Sequence, residues 1–69
     1  MKFFRIGDRV KKVSGDSDVG KDGEVVAILY NAKGSMILSV QTEGVEWNHT
    51  LRVATSPWTA DDCVIVEKS

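Results

Sequence analysis

Two short stretches, Gly7-Asp8-Arg9-Val10 and, ten residues on, Gly20-Lys21-Asp22-Gly23-Glu24-Val25, decide the fold of this chain. Between them the backbone has to reverse, and glycine reaches positive φ there without a Cβ clash. The two stretches therefore predict a strand, a glycine-punctuated loop and a second strand. Gly23 is expected either at positive φ or where the second strand presses against its surroundings.

Beyond these stretches the apolar residues recur with a period of two. The stretch 22–30 is rich in β-branched and aromatic residues and is too short for a typical helix. It is predicted to form a central strand. Residues 31–34 supply a four-residue turn, with Gly34 in the left-handed position. Residues 35–41 alternate between apolar and polar, which predicts a third strand with one buried face.

The second half of the chain predicts two more strands. A turn is expected at Glu43-Gly44, followed by a fourth strand in which Val45, Trp47, His49 and Leu51 share one face. Pro57 cannot donate a central-strand hydrogen bond, so the strand pattern is expected to break at residues 54–58. A single helical turn over 58–62 and a fifth strand over 63–67 complete the chain.

Residues 4–28 resemble the KOW motif, the opening hairpin of a small SH3-like β-barrel in NusG-type transcription elongation factors and some ribosomal proteins. The resemblance rests on the order GDxV and GxxGxV. It implies an all-β fold, a five-stranded SH3-like barrel with one short 3-10 turn before the last strand, spanning residues 1–69 as one domain. It also implies a non-catalytic module that binds nucleic acid or a transcription or translation assembly.

The alternation and this resemblance together predict the core. Its members are Val10, Val25, Ala27, Met36, Leu38, Val40, Trp47, Leu51 and Val64, with Ile28 or Ile37 closing the opposite side. At 69 residues, the chain is near the lower limit at which such a core supports folding without staples.

The cysteine count and the first residues indicate the compartment. Cys63 is the only cysteine, so no intramolecular disulfide and no multi-cysteine zinc site can form. The opening residues resemble the start of a signal peptide, but charges at Arg5, Asp8 and Arg9 interrupt any apolar region. A cytoplasmic protein with no membrane association is therefore expected.

Metal binding and catalysis are both disfavoured by the residue pattern. The acidic run from Asp16 to Glu24 places glycine and glutamate at the wrong positions for an EF-hand loop in either register. His49 and Cys63 are the only candidates for a nucleophile and its base, and a small barrel offers little concave surface around them. No metal, no cofactor and no enzymatic activity are predicted.

Charge is distributed unevenly along the chain. Residues 1–13 carry five cationic side chains against Asp8 alone, a net charge of +4, and because the whole chain has −1 the remainder carries −5. This distribution predicts a basic, nucleic-acid-binding surface made of Arg5, Arg9, Lys11, Lys12, Lys21 and Lys33. The alternative for these cations is a solvated strand whose lysines protect a sheet edge.

A protein partner is the alternative function. Trp58 follows a proline and belongs to no alternating face, so it is expected to be partly exposed and to anchor a protein ligand, with Tyr30 as a second contact. A small regulatory or phage-type accessory module would dock through these residues and an exposed strand edge. A structural subunit that works only inside an assembly is a third hypothesis. The sequence leaves the partner and the oligomeric state open.

Overall fold

A computed structural model describes the backbone of residues 3–47 and 50–69 and the side chains of residues 3–42 and 55–69. The described backbone contains five strands and one 3-10 turn. These are β1 (Arg9–Lys12), β2 (Asp22–Tyr30), β3 (Met36–Trp47), β4 (Thr50–Thr59), the turn Ala60–Asp62 and β5 (Cys63–Glu67). In the described part of the chain, no helix is long and apolar enough to cross a membrane.

The strands form one antiparallel sheet in the order β4-β3-β2-β1-β5. The predicted all-β fold and the short turn before the last strand are thus confirmed. Among the described residues no pairing joins β4 to β5, so these two strands are the edges of the sheet. Closure into a barrel stays a prediction.

The turn between β2 and β3 has the predicted residues and geometry. Gly34 adopts φ +81°, and its N–H donates to the carbonyl of Asn31 at 2.9 Å. The Asn31 side chain also accepts hydrogen bonds from the backbone N–H groups of Lys33 and Ser35, both at 2.9 Å. Asparagine is suited to this role because its side-chain oxygen can mimic a backbone acceptor in a turn.

The predicted turn at Glu43-Gly44 is wrong, because β3 continues through both residues to Trp47. The irregularity there is a register shift between Gln41 and Glu43 against β4. A bulge inserts a residue without ending a strand. Val45 and Trp47 consequently belong to β3 and Leu51 to β4, whereas His49 lies outside the described residues.

Pro57 does not end β4, contrary to the prediction. The strand runs through Pro57, which pairs with Ser39 of β3, and ends at Thr59. The reason is the position of β4 at the edge of the sheet, where one side of the backbone has no partner strand among the described residues. Proline is tolerated on an edge strand, since its missing N–H need not remove a ladder hydrogen bond.

Among the described side chains, eight form the buried core: Phe4, Val10, Val25, Leu38, Val40, Trp58, Ala60 and Cys63. Four of the predicted members are confirmed: Val10, Val25, Leu38 and Val40, each with no exposed surface. Met36 and Ile28 are partly buried and pack against this core.

Two residues that were predicted for the core, Val64 and Ala27, are not among the buried residues. Val64 is 38% exposed because β5 directs Cys63 inward at the preceding position, so the strand alternates in the opposite phase. Ala27 is half-buried and follows a register shift after Val25, which changes the face that it occupies. The side chains of Trp47 and Leu51 lie outside the described residues.

Candidate functional site

The Gly7-Asp8 pair joins the two ends of the described chain. Asp8 is only 3% exposed, and its carboxylate accepts hydrogen bonds from the backbone N–H groups of Ser69 (2.7 Å) and Arg5 (2.8 Å). The Ser69 and Arg5 hydrogen bonds, followed by the nearby positive charges of Arg5 and Lys68, lower the pKa of Asp8. Asp8 is therefore an ionised structural residue at neutral pH.

A second aspartate holds the loop between β1 and β2 against the core. Asp18 adopts φ +61°, and its carboxylate accepts a hydrogen bond from the indole N–H of Trp58 (3.1 Å) and contacts the Lys21 ammonium (3.3 Å). The Trp58 and Lys21 hydrogen bonds lower the pKa of Asp18. Aspartate tolerates the left-handed region better than most residues.

The predicted exposure of Trp58 is wrong, because only 1% of its surface is accessible. In β4 it lies opposite Leu38, and both side chains belong to the core. Tyr30 is 66% exposed near the end of β2, so the two aromatics do not share an accessible surface. The ligand-anchoring role of Trp58 depended on exposure and loses that basis, whereas Tyr30 as a protein contact stays a prediction.

Two of the predicted basic residues, Arg9 and Lys21, have acidic partners. Arg9 Nε lies 2.9 Å from Asp22 Oδ2, and Lys21 contacts Asp18. The remaining exposed cations of the predicted set are Arg5, Lys11 and Lys33. Arg5 precedes β1, Lys11 lies within it and Lys33 lies in the β2–β3 turn. Acidic neighbours thus offset part of the charge that the sequence concentrates near its start.

Lys12 does not belong to the predicted basic surface, because it is only 7% exposed and lies on the core side of β1. Its ammonium and the Asp62 carboxylate both border Gly15, within 3.3 Å of the position that a Cβ would take there. The charge of Lys12 also contributes to the lowered pKa of Asp18. Lys12 therefore supports the β1–β2 loop and is not a surface contact.

A groove that the sequence did not predict runs beside β5. Its apolar half, about 230 Å³, is lined by Phe3, Phe4, Cys63, Val64 and Ile65. Its polar half, about 310 Å³, is lined by Phe3, Arg5, Asp8, Ile65, Lys68 and Ser69. The two halves share Phe3 and Ile65 as lining residues and are thus adjacent. Phe3 is 74% exposed.

The only sequence signal for this groove is the aromatic pair Phe3-Phe4 ahead of the first strand. Phe4 enters the core, while Phe3 stays exposed beside β5. Adjacent residues in an extended segment point in opposite directions, so one member of such a pair can pack in the core while the other lines the groove.

The candidate nucleophile is placed in the core. Cys63 is buried, and its thiol donates to the carbonyl of Thr59 at 3.5 Å. Free cysteine in such a position packs as a small apolar residue. His49 lies outside the described residues, so the pairing of the two is not defined.

Acid is expected to destabilise the protein through Asp8 and Asp18. Both carboxyls have a pKa below the ordinary value of 3.8 in the folded state, so their ionised forms favour folding. This stability is fully present above about pH 5 and is lost as the pH falls through 4 towards the lowered pKa values. We expect the melting temperature to decline below pH 4, and to decline less steeply in Asp8→Asn and Asp18→Asn. Asp16→Asn, at an exposed loop position, is the control.

Comparison with known proteins finds no relative: no family model matches the chain, and neither a curated protein nor a solved structure matches it.

Proposed function

We propose that this chain is a non-catalytic binding module that takes a protein partner along the edge strand β5. The observation that carries the proposal is the groove beside β5, where exposed Phe3 and half-exposed Val64 border an apolar pocket. An exposed sheet edge with an adjoining apolar pocket is the arrangement that extended peptide segments use, because main-chain hydrogen bonds supply affinity and the pocket supplies specificity.

The sheet order supports the choice of this edge. β5 pairs only with β1 among the described strands, so the other side of its backbone has no strand partner there. Val66, next to the register shift in β5, is 52% exposed. The opposite edge strand, β4, carries Pro57, which has no backbone N–H to donate to an added strand. We further propose that the sheet curls into the SH3-like barrel that the KOW resemblance implies, with β5 left unpaired along the edge that the partner uses.

Nucleic-acid binding through the first hairpin is the less favoured function. Arg9 and Lys21 have acidic partners, and Lys12 is buried, which leaves Arg5, Lys11 and Lys33 as the exposed cations of this set that form no ion pair with the described side chains. Their contacts would be with phosphates, so the affinity would fall steeply with salt.

A peptide selection tests the proposed function. We expect wild-type protein to enrich peptides from a random displayed library, and we expect Phe3→Ser to lose them, since an interface aromatic contributes about 2 kcal/mol or more, roughly thirtyfold in affinity. Phe3 is mostly exposed, so the melting temperature should stay nearly constant. Leu29→Ser, at a residue 58% exposed on β2, is the matched control and should keep binding.

The contrary results are equally specific. Enriched peptides that bind Phe3→Ser as well as wild type would place the site elsewhere. Salt-sensitive binding of short RNA or DNA, with no peptide enriched, would favour the nucleic-acid function.

A further inference from the structure

The groove beside β5 has a chemical polarity that specifies its ligand further, provided that the proposed function holds. Along the strand, the apolar pocket lies at Cys63–Ile65, and the polar pocket lies at Ile65 and continues to Lys68 and Ser69. A segment added to the edge of β5 would meet the two pockets in succession. Residues two apart in a strand point to the same side, about 6–7 Å from each other.

The polar pocket is lined by two cationic side chains, Arg5 and Lys68, and one acidic side chain, Asp8. Arg5 and Lys68 are both exposed. Asp8 offers little to a ligand, because both of its oxygens accept backbone hydrogen bonds and it is nearly inaccessible. Glu67, the nearest acid on β5, lies opposite Arg9 of β1. Two accessible cations therefore face one engaged carboxylate.

We propose that the groove binds an extended protein segment in which an apolar side chain and an acidic side chain are two residues apart. The apolar side chain packs between Phe3 and Val64, and the acidic side chain meets Arg5 and Lys68. An arginine guanidinium is suited to this contact since it can donate two parallel hydrogen bonds to one carboxylate. The segment adds a sixth strand to the sheet, next to β5.

Synthetic peptides with blocked ends test this specificity. We would use Thr-Thr-Leu-Thr-Glu-Thr-Thr and its reverse, Thr-Thr-Glu-Thr-Leu-Thr-Thr, because the added strand can run parallel or antiparallel to β5. Each is compared with its Gln counterpart by fluorescence anisotropy. We expect the better-binding order to lose about fivefold in affinity when Glu becomes Gln, the effect of an accessible ion pair of about 1 kcal/mol. The difference should disappear near 1 M salt, where the Debye length is about 3 Å.

A double-mutant cycle identifies the cation. When both Arg5 and Lys68 are replaced by Gln, the Glu and Gln peptides should bind with equal affinity, and each single replacement should lose part of the difference. Lys33→Gln, at a cation in the β2–β3 turn, should keep the fivefold difference. Amide hydrogen exchange should slow in β5 when the Glu peptide is bound.

Three outcomes would overturn the inference. Equal binding of the Glu and Gln peptides to wild type would remove the acidic specificity and leave the proposed function intact. No binding by any of the four peptides, while Phe3-dependent peptides of other sequence are selected from the library, would do the same. No binding by the four, with no Phe3-dependent peptide selected, would overturn both proposals.

Discussion

Replacing Trp58 with alanine is expected to destabilise the fold by about 3–5 kcal/mol, the cost of truncating a large buried aromatic. Trp58 is 1% exposed, and its indole N–H donates to Asp18, so the substitution leaves both a cavity and a carboxylate without that donor. A chain of this size has roughly 0.1 kcal/mol of stability per residue, so the loss is comparable to the total. Chemical denaturation at neutral pH measures it.

The matched control is Tyr30→Ala, which removes a 66% exposed aromatic and should change stability by less than about 0.5 kcal/mol. Trp58→Phe should lie between wild type and alanine, because most of the ring volume is retained while the hydrogen bond to Asp18 is lost. A Trp58→Ala protein that melts like wild type would mean that this tryptophan is not in the core.

Replacing Gly23 with valine is expected to cost about 3 kcal/mol, at the upper end of the range for overpacking a well-packed site. Gly23 is not at positive φ; instead, β2 lies so close to β3 that a Cβ there would overlap the backbone carbonyl of Gln41 and approach Val40 Cγ1 to 2.7 Å. Of the two reasons offered for this glycine by the sequence, close approach is confirmed.

Gly20→Ala separates this steric effect from backbone strain. Gly20 has φ +94°, and nothing lies within 4 Å of a Cβ placed on it. The Gly20→Ala substitution should lower the stability only by the free energy of holding an alanine in the left-handed region, about 1 kcal/mol. Thermal melts of both variants give the comparison, and equal melting temperatures for wild type and Gly23→Val would contradict the packing of β2 on β3.

The candidate site was much less predictable than the fold. Four of the six cations were selected by their density near the start of the chain, and Lys21 and Lys33 were added to them, yet the partners of Arg9 and Lys21 are Asp22 and Asp18. The charge count over residues 1–13 does not include these pairings, because both acids lie beyond it in sequence and Asp22 approaches Arg9 only when the β1–β2 loop folds back. The groove beside β5 was missed for a related reason: Phe3 and Ile65 are distant in sequence and meet only in the folded chain.

By itself, the sequence determined what depends on near neighbours. The period-two pattern predicted β2 as Asp22–Tyr30 and β5 as Cys63–Glu67, and turn chemistry predicted the Asn31–Gly34 reversal. These features follow from side-chain alternation and backbone preferences, which act over a few residues.

Only the tertiary structure decided which face and which edge each strand occupies. Pro57 is accommodated because β4 is an edge strand, and a strand's place in the sheet is set by its long-range partners. The burial of Trp58 also depends on long-range partners, since it lies opposite Leu38 and its indole N–H donates to Asp18 of the β1–β2 loop. Burial depends on how strands and loops pack together. The alternation of apolar and polar residues along the chain therefore could not show that a tryptophan following a proline is buried.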